Sequence, residues 1–183
     1  QKFRMTKSNN PKGYFEENFG VDEVLIQNII ETGMESGGDF AEVYFQHKKN
    51  DFLSLEDGEV NRASTGVDLG AGVRVLKGDQ TGYAFTEDLS KESLLKAATT
   101  AASIANTSSS FGNTSLKPVE SPQLYPDRPQ WDDQSPASKL ELVKRVGEKT
   151  LEEDQAIEKV SVYFMDQDEA VLIANSEGVL AED

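Results

Sequence analysis

The sequence predicts an α+β fold, with helices packed on a mainly antiparallel sheet and elements in the order α-β-β-β-β-α-α-β-β. Three observations carry that expectation. Apolar residues recur at helical spacing in three separated segments. Other segments alternate apolar and polar residues at strand spacing and are joined by turn residues. Neither a strand–helix–strand alternation nor an internal repeat is present.

The elements follow in chain order. Residues 1–20 are polar, contain Pro11 and Gly13, and read as a disordered leader. Asp22 is placed to cap a helix over about 22–36, whose Val24, Leu25, Ile29, Ile30 and Met34 form an apolar face. Gly37-Gly38 ends it. Ala41, Val43 and Phe45 then alternate with Glu42, Tyr44 and Gln46 in a first strand. Lys48-Lys49-Asn50-Asp51 reads as a turn into a second strand over 52–55, followed by the hairpin signal Asp57-Gly58. Val67, Leu69, Ala71, Val73 and Val75 mark a long third strand, and Lys77 to Gln80 turn it back into 81–86.

Ser90 is placed to cap a helix over about 90–105, with Glu92 near its positive end. Residues 106–134 carry Pro118, Pro122, Pro126 and Pro129 and read as a long irregular loop; Tyr125 and Trp131 favour its docking on the body. Ser135-Pro136 opens a third helix with apolar Leu140, Val143, Val146 and Leu151. Val160, Val162 and Phe164 alternate in a strand, Asp166-Gln167-Asp168 reads as a turn, and strands over 171–175 and 179–180 follow, separated by Ser176-Glu177-Gly178. Residues 21–183 thus read as one domain.

Composition restricts function. The chain of 183 residues has no cysteine and a single histidine, His47. Disulfides, thiolate zinc sites, cysteine nucleophiles and histidine-rich metal sites are excluded from it. The net charge is −15, although Lys2, Arg4, Lys7 and Lys12 fall in an acid-free opening stretch. A body this acidic repels phosphate, so neither nucleic acid nor anionic lipid is an expected partner. No apolar run approaches the roughly 20 residues that span a bilayer, and the start lacks the apolar core of a signal peptide. Together with the missing cysteine, this gives the cytoplasm as the expected location.

Each candidate site has a plainer structural reading. Gly66, Gly70, Gly72, Gly78 and Gly82 lack the spacing and following helix of a phosphate loop, and read as close backbone approach within strands. Their functional version is a strand that admits another backbone. His47 reads as a surface residue. Glu56, Asp57 and Glu59 straddle a hairpin without calcium-loop spacing. Glu152-Glu153-Asp154 sits on a solvated helix end, and Arg74, mid-strand, reads as the partner of an acid. No catalytic, cofactor-binding or metal-binding residue is assigned.

An ordered set of segments carries a family resemblance. Ala41-Glu42-Val43-Tyr44-Phe45-Gln46 and Leu55-Glu56-Asp57 are followed by Gly70-Ala71-Gly72-Val73-Arg74-Val75 and by Gly78-Asp79-Gln80-Thr81-Gly82-Tyr83-Ala84-Phe85. Asp88-Leu89-Ser90, Ser121-Pro122-Gln123-Leu124-Tyr125-Pro126 and Val171-Leu172-Ile173-Ala174-Asn175-Ser176-Glu177-Gly178 complete it. This set resembles the amino-terminal part of the TldD/PmbA proteins, also labelled modulators of DNA gyrase, from about residue 21 onward. The first two segments are more similar to TldD than to its sister TldE (PmbA).

The resemblance implies a zinc metallopeptidase acting on unfolded peptides, with a His-Glu-x-x-x-His helix that is not found in this sequence. It implies that the catalytic carboxy-terminal half and its zinc lie beyond Asp183, and that this part helps enclose the substrate cavity. The expected partners are a TldE/PmbA-like subunit, or a second copy, and an unfolded peptide. The alternatives are a protein-binding regulator without peptidase activity and an inactive TldE-like subunit. An open strand edge is expected around Val171 to Leu180.

Overall fold

A computed structural model describes residues 13–103, 115–119 and 135–183. The elements run α1 (Tyr14–Phe19), α2 (Glu23–Met34), β1 (Phe40–Glu56), β2 (Glu59–Lys77), β3 (Gln80–Thr86), α3 (Lys91–Ala102), β4 (Lys117–Pro118), α4 (Pro136–Glu153), β5 (Ser161–Asn175) and β6 (Val179–Glu182). The strands form one sheet in the order β3-β2-β1-β5-β6-β4. The β2–β3 and β5–β6 pairs are antiparallel and β4–β6 is parallel. The fold is α+β, as the sequence predicts. Among the described residues it divides into two compact units, one of residues 13–47, 69–103, 115–119 and 170–183, the other of 48–68 and 135–169.

The first unit holds the principal core. The Asp22 carboxylate accepts from the Leu25 N–H at 2.7 Å, and Ser90 Oγ accepts from Ser93 N–H at 3.4 Å, so both predicted caps are in place. α2 then presents Leu25, Ile26, Ile29, Ile30 and Met34, and α3 presents Leu94, Ala97, Ala98 and Ala101, to the inward residues Val43, Phe45, Val73 and Val75 of the sheet. α2 lies so close to the strands that a Cβ at Gly33 would meet Ala41 Cβ and Val75 Cγ2 at 3.3 Å. Fully burying each large apolar side chain contributes roughly 1.5–3 kcal/mol, so this layer dominates the stability of the unit.

α1 departs from the expected leader. Residues 1–12 lie outside the described residues, but Phe15 is 0% exposed, its ring centroid 5.7 Å from that of Phe45. The Gly13 and Phe15 N–H groups donate to the Glu182 carboxylate at 2.5 and 3.0 Å. That carboxylate satisfies helix-start donors which have no intrahelical partner. Its distance in sequence hides the helix from local reading.

The 106–134 loop expectation falls mostly on residues 106–114 and 120–134, which lie outside the described residues. Within it, Lys117 N–H donates to Gly178 O at 2.6 Å and Val119 N–H to Leu180 O at 2.8 Å, adding β4 beside β6. The expected open edge at 171–180 is therefore covered on both sides, by β4 and by the β5–β6 pairing.

In the second unit, β1 and β2 meet at Asp57-Gly58, with φ of 50° and 81°, the left-handed pair a two-residue hairpin turn requires. α4 starts at the Ser135 cap, whose Oγ accepts from Ser138 N–H at 3.2 Å, and buries Val143 and Gly147. Two predicted turns are absent: β1 runs unbroken through 48–51 and β5 through 166–168. Their polar residues have partners distant in sequence. β2 also begins earlier than predicted, because residues 59–66 are exposed and lack apolar alternation.

Candidate functional site

The most concentrated polar chemistry in the second unit centres on Lys139, in the first turn of α4. Its Nζ lies 2.9 Å from Asp51 Oδ2 of β1 and 2.9 Å from Asp166 Oδ2 of β5. Thr65 of β2 donates its hydroxyl to Asp51 Oδ1 at 2.5 Å. The Lys139 side chain is 11% exposed. Burial alone would lower the Lys139 ammonium pKa, but hydrogen bonds to Asp166 and Asp51 and their charges outweigh it and raise the pKa. Burial opposes ionisation of Asp51 as well, yet bonds from Thr65 and Lys139 and the charges of Lys139 and Lys49 hold its carboxyl below the usual value. Bound to both carboxylates, the ammonium ties the start of α4 to β1 and β5.

Sequence reasoning missed this cluster. The signal was available on α4: Lys139, Val143 and Gly147 are spaced i, i+4, i+8, so Lys139 occupies a place on the inward stripe. A cavity of about 260 Å³ adjoins it, lined on the apolar side by Phe52, Leu53, Val60, Ala63, Leu140 and Phe164.

Among the described residues of the first unit, the strands turn one face to the helices, and no helix packs on the other. Tyr83 and Phe85 of β3 project from that other face, 61% and 71% exposed. Gly72 pairs with Phe85 and Arg74 with Tyr83. A Cβ at Gly72 would stand 2.5 Å from Tyr83 Oη and 3.1 Å from its ring carbons, so the ring lies across the glycine. At Gly70 it would stand 2.9 Å from Thr86 O. The close backbone approach inferred for the glycines thus exists at Gly70; at Gly72 the approaching group is a side chain, and at Gly66 and Gly78 an added Cβ would meet nothing within 4 Å. Arg74 Nε lies 2.8 Å from Glu42 Oε1, the acid pairing expected for that residue; the N–H is not aligned for a hydrogen bond.

Four of the remaining sequence candidates, His47, Glu56, Asp57 and Asp154, have structural partners. His47 Nδ1 and the Tyr14 hydroxyl share a 2.7 Å hydrogen bond, with Phe19 edge-on to the imidazole at 5.2 Å, so His47 is half-buried rather than a surface residue. Asp57 pairs with Val160 through N–H to O at 3.0 Å and Oδ1 to N–H at 3.1 Å, while Glu56 forms an ion pair with Lys159. Those acids fasten the hairpin to the start of β5. Asp154 Oδ1 accepts from Ala156 N–H at 2.9 Å and closes the turn after α4. Asp88 accepts from Ser93 and Ser90, which hold its carboxyl below the usual value, Ser93 most strongly.

Among the described residues, no three His, Cys, Asp or Glu side chains converge to hold a metal ion. With one histidine and no cysteine in the sequence, the donors of this chain do not fit a catalytic zinc. Nor is any helix among the described residues long and apolar enough to cross a membrane.

Two segments match family profiles. Residues 41–105 match the one described as PmbA/TldA metallopeptidase domain 1, and residues 129–183 match the PmbA/TldA metallopeptidase central domain. The chain belongs to the PmbA/TldD family.

Curated relatives within the family agree. A "Metalloprotease TldD homolog" from Haemophilus influenzae is 28% identical over 158 residues, covering 85% of this chain and 33% of the relative. One of the same name from Buchnera aphidicola subsp. Acyrthosiphon pisum is 26% identical over 145 residues, covering 79% and 30%. The chain thus spans about a third of the length of these relatives. Among solved structures, a protein named as a modulator of DNA gyrase from Bacteroides thetaiotaomicron superposes with TM-score 0.68 at 19% identity, over 87% of this chain and 38% of that one. TldE from Thermococcus kodakarensis gives 0.62 at 20%, over 87% and 36%. At these identities the structural likeness speaks to the PmbA/TldD fold alone.

Proposed function

We propose that this chain is the non-catalytic amino-terminal and central portion of a TldD-like zinc metallopeptidase that degrades or processes unfolded peptides, and that it helps enclose the substrate cavity. One observation carries the reading: two successive domains of a metallopeptidase family match in order, in a chain with one histidine and no cysteine. In this reading zinc is held by residues outside the chain, and the chain contributes walls and a rigid platform. A TldE/PmbA-like subunit or a second copy completes the cavity.

The name of the Bacteroides thetaiotaomicron neighbour favours a second reading, a protein-binding regulator of DNA gyrase. One assay separates the two. The whole gene product is incubated with an unfolded peptide, with and without a zinc chelator, alongside a form lacking residues 1–183. The proposal expects chelator-sensitive hydrolysis by the whole product and its loss on removal of this part. A product that binds gyrase and hydrolyses nothing, with zinc supplied and the TldE-like partner present, overturns it.

A further inference from the structure

A second cavity, of about 140 Å³, lies within the first unit, between α1, α2, β4, β5 and β6. Val21, Ile26, Leu172 and Leu180 give it apolar walls. Glu16, Glu23 and Glu182 line it too, and Glu16 and Glu23 are exposed. Its volume is close to the roughly 150 Å³ that holds benzene in an engineered apolar cavity. One aromatic ring therefore fits. The carboxylates reject an occupant that carries acids and favour one with cations beside its ring.

The sequence places one segment of that chemistry within reach. Gly13, the first described residue, is part of the wall, so residues 1–12 join the described chain at the cavity itself. They contain Lys2, Arg4, Lys7 and Lys12, and all 33 Asp and Glu residues lie after them. Lys2-Phe3-Arg4 sets a ring between two cations. Val119 also lines the cavity, which brings residues 120–134 equally near, but those carry Glu120, Asp127, Asp132 and Asp133 against Arg128. Residues 104–114 carry no charge. Charge therefore separates the opening segment from the other two.

We propose that this cavity is the docking site of the chain's own basic opening segment. The Phe3 ring enters between Ile26, Leu172 and Leu180, and Lys2 and Arg4 pair with Glu16 and Glu23. Connectivity favours the same molecule over a second copy. The link from Phe3 to Gly13 is about ten residues, and a tether this short holds the ring beside the cavity at a concentration on the order of millimolar. Two whole copies, each at −15, repel one another. Docking also has a consequence for α1. It keeps water from the Glu182 carboxylate and the Gly13 and Phe15 N–H groups, and charge-assisted bonds strengthen as the local dielectric falls.

The test uses the 183-residue chain, labelled for NMR at its isoleucine, leucine and valine methyl groups. Nuclear Overhauser contacts are expected from the Phe3 ring to the methyl groups of Ile26, Leu172 and Leu180. Phe3→Leu removes the ring-current displacement of those signals, while Val73 and Leu94, in the core, keep their positions. The double variant Lys2→Glu with Arg4→Glu loses the Phe3 contacts, and its unchanged Val73 and Leu94 signals show that it is folded. The proposal is overturned if the unaltered chain shows no Phe3 contacts, or if the contacts survive charge reversal. Contacts from Tyr125 or Trp131 instead assign the cavity to residues 120–134 and overturn it. Phe3 contacts that arise only between labelled and unlabelled copies in a mixed sample assign the ring to a second molecule, and also overturn it.

Discussion

The two units fill their interiors with different chemistry. In the first, Phe15, Ile26, Ile29, Phe45, Val73 and Leu94 close an interior whose cohesion does not depend on ionisation. In the second, α4 is the one helix among the described residues; it buries Val143 and Gly147, and at the next place on the same stripe it puts Lys139 between two aspartates. An apolar interior tolerates pH and is damaged by cavities. A strut of paired charges fills space with less apolar contact, leaves room for a cavity beside it, and responds to protonation. That contrast gives the first unit an interior whose stability is set by packing, and the second an interior whose stability depends on the charge state of Lys139 and its two aspartates.

The largest effect expected from this contrast is Phe45→Ala. Phe45 is 0% exposed, and its loss is expected to cost about 3–5 kcal/mol in urea unfolding, with reduced hydrogen-exchange protection in α2, α3 and β1. A cost below about 1 kcal/mol would contradict a stability set by packing. Next is Lys139→Met, which leaves Asp51 and Asp166 facing each other. About 2 kcal/mol is expected, discounted from the buried-pair range because the aspartates retain solvent contact, with the lost protection confined to the second unit. Loss of protection throughout the first unit would break the comparison.

The pH dependence follows from the same cluster. Asp51 has a lowered pKa in the folded state, so its contribution is present above the unfolded-state value of 3.8 and is lost as pH falls through the folded one. Lys139 has a raised pKa, so its contribution is full below the ordinary lysine value of 10.5 and is lost as pH rises through the folded one. Protection in the second unit is therefore expected to fall at both extremes and to stay flat between them, and Asp51→Asn is expected to flatten its acid limb. An unchanged acid limb in that variant would place the titration elsewhere. The smallest effect is Gly72→Ala, which must displace the Tyr83 ring: about 1 kcal/mol and an altered near-ultraviolet tyrosine dichroism are expected.

Much of the first unit was legible because its determinants are local. Asp22 and Ser90 cap their helices through residues three positions on, and the alternation over Ala41 to Phe45 and Ala71 to Val75 follows the pleat. What was hidden depends on partners far along the chain. Glu182 anchors α1 across 169 residues. Asp51 and Asp166 resemble turn residues until Lys139, 88 and 27 residues away, is placed between them. β4 is recognisable only once β6 lies beside it. In the candidate site, Arg74 and the glycines could be read as structural from their strand setting, whereas the cavity could not, since three segments distant in sequence build it.

Whether this chain is the metal-free part of a metallopeptidase is tested most directly by calorimetric titration of zinc into the chain and, in parallel, into the whole gene product. The expected result is no specific zinc binding by the chain and stoichiometric binding by the whole product. Stoichiometric, tight binding by the chain alone would contradict the proposal, as would a whole product that binds none.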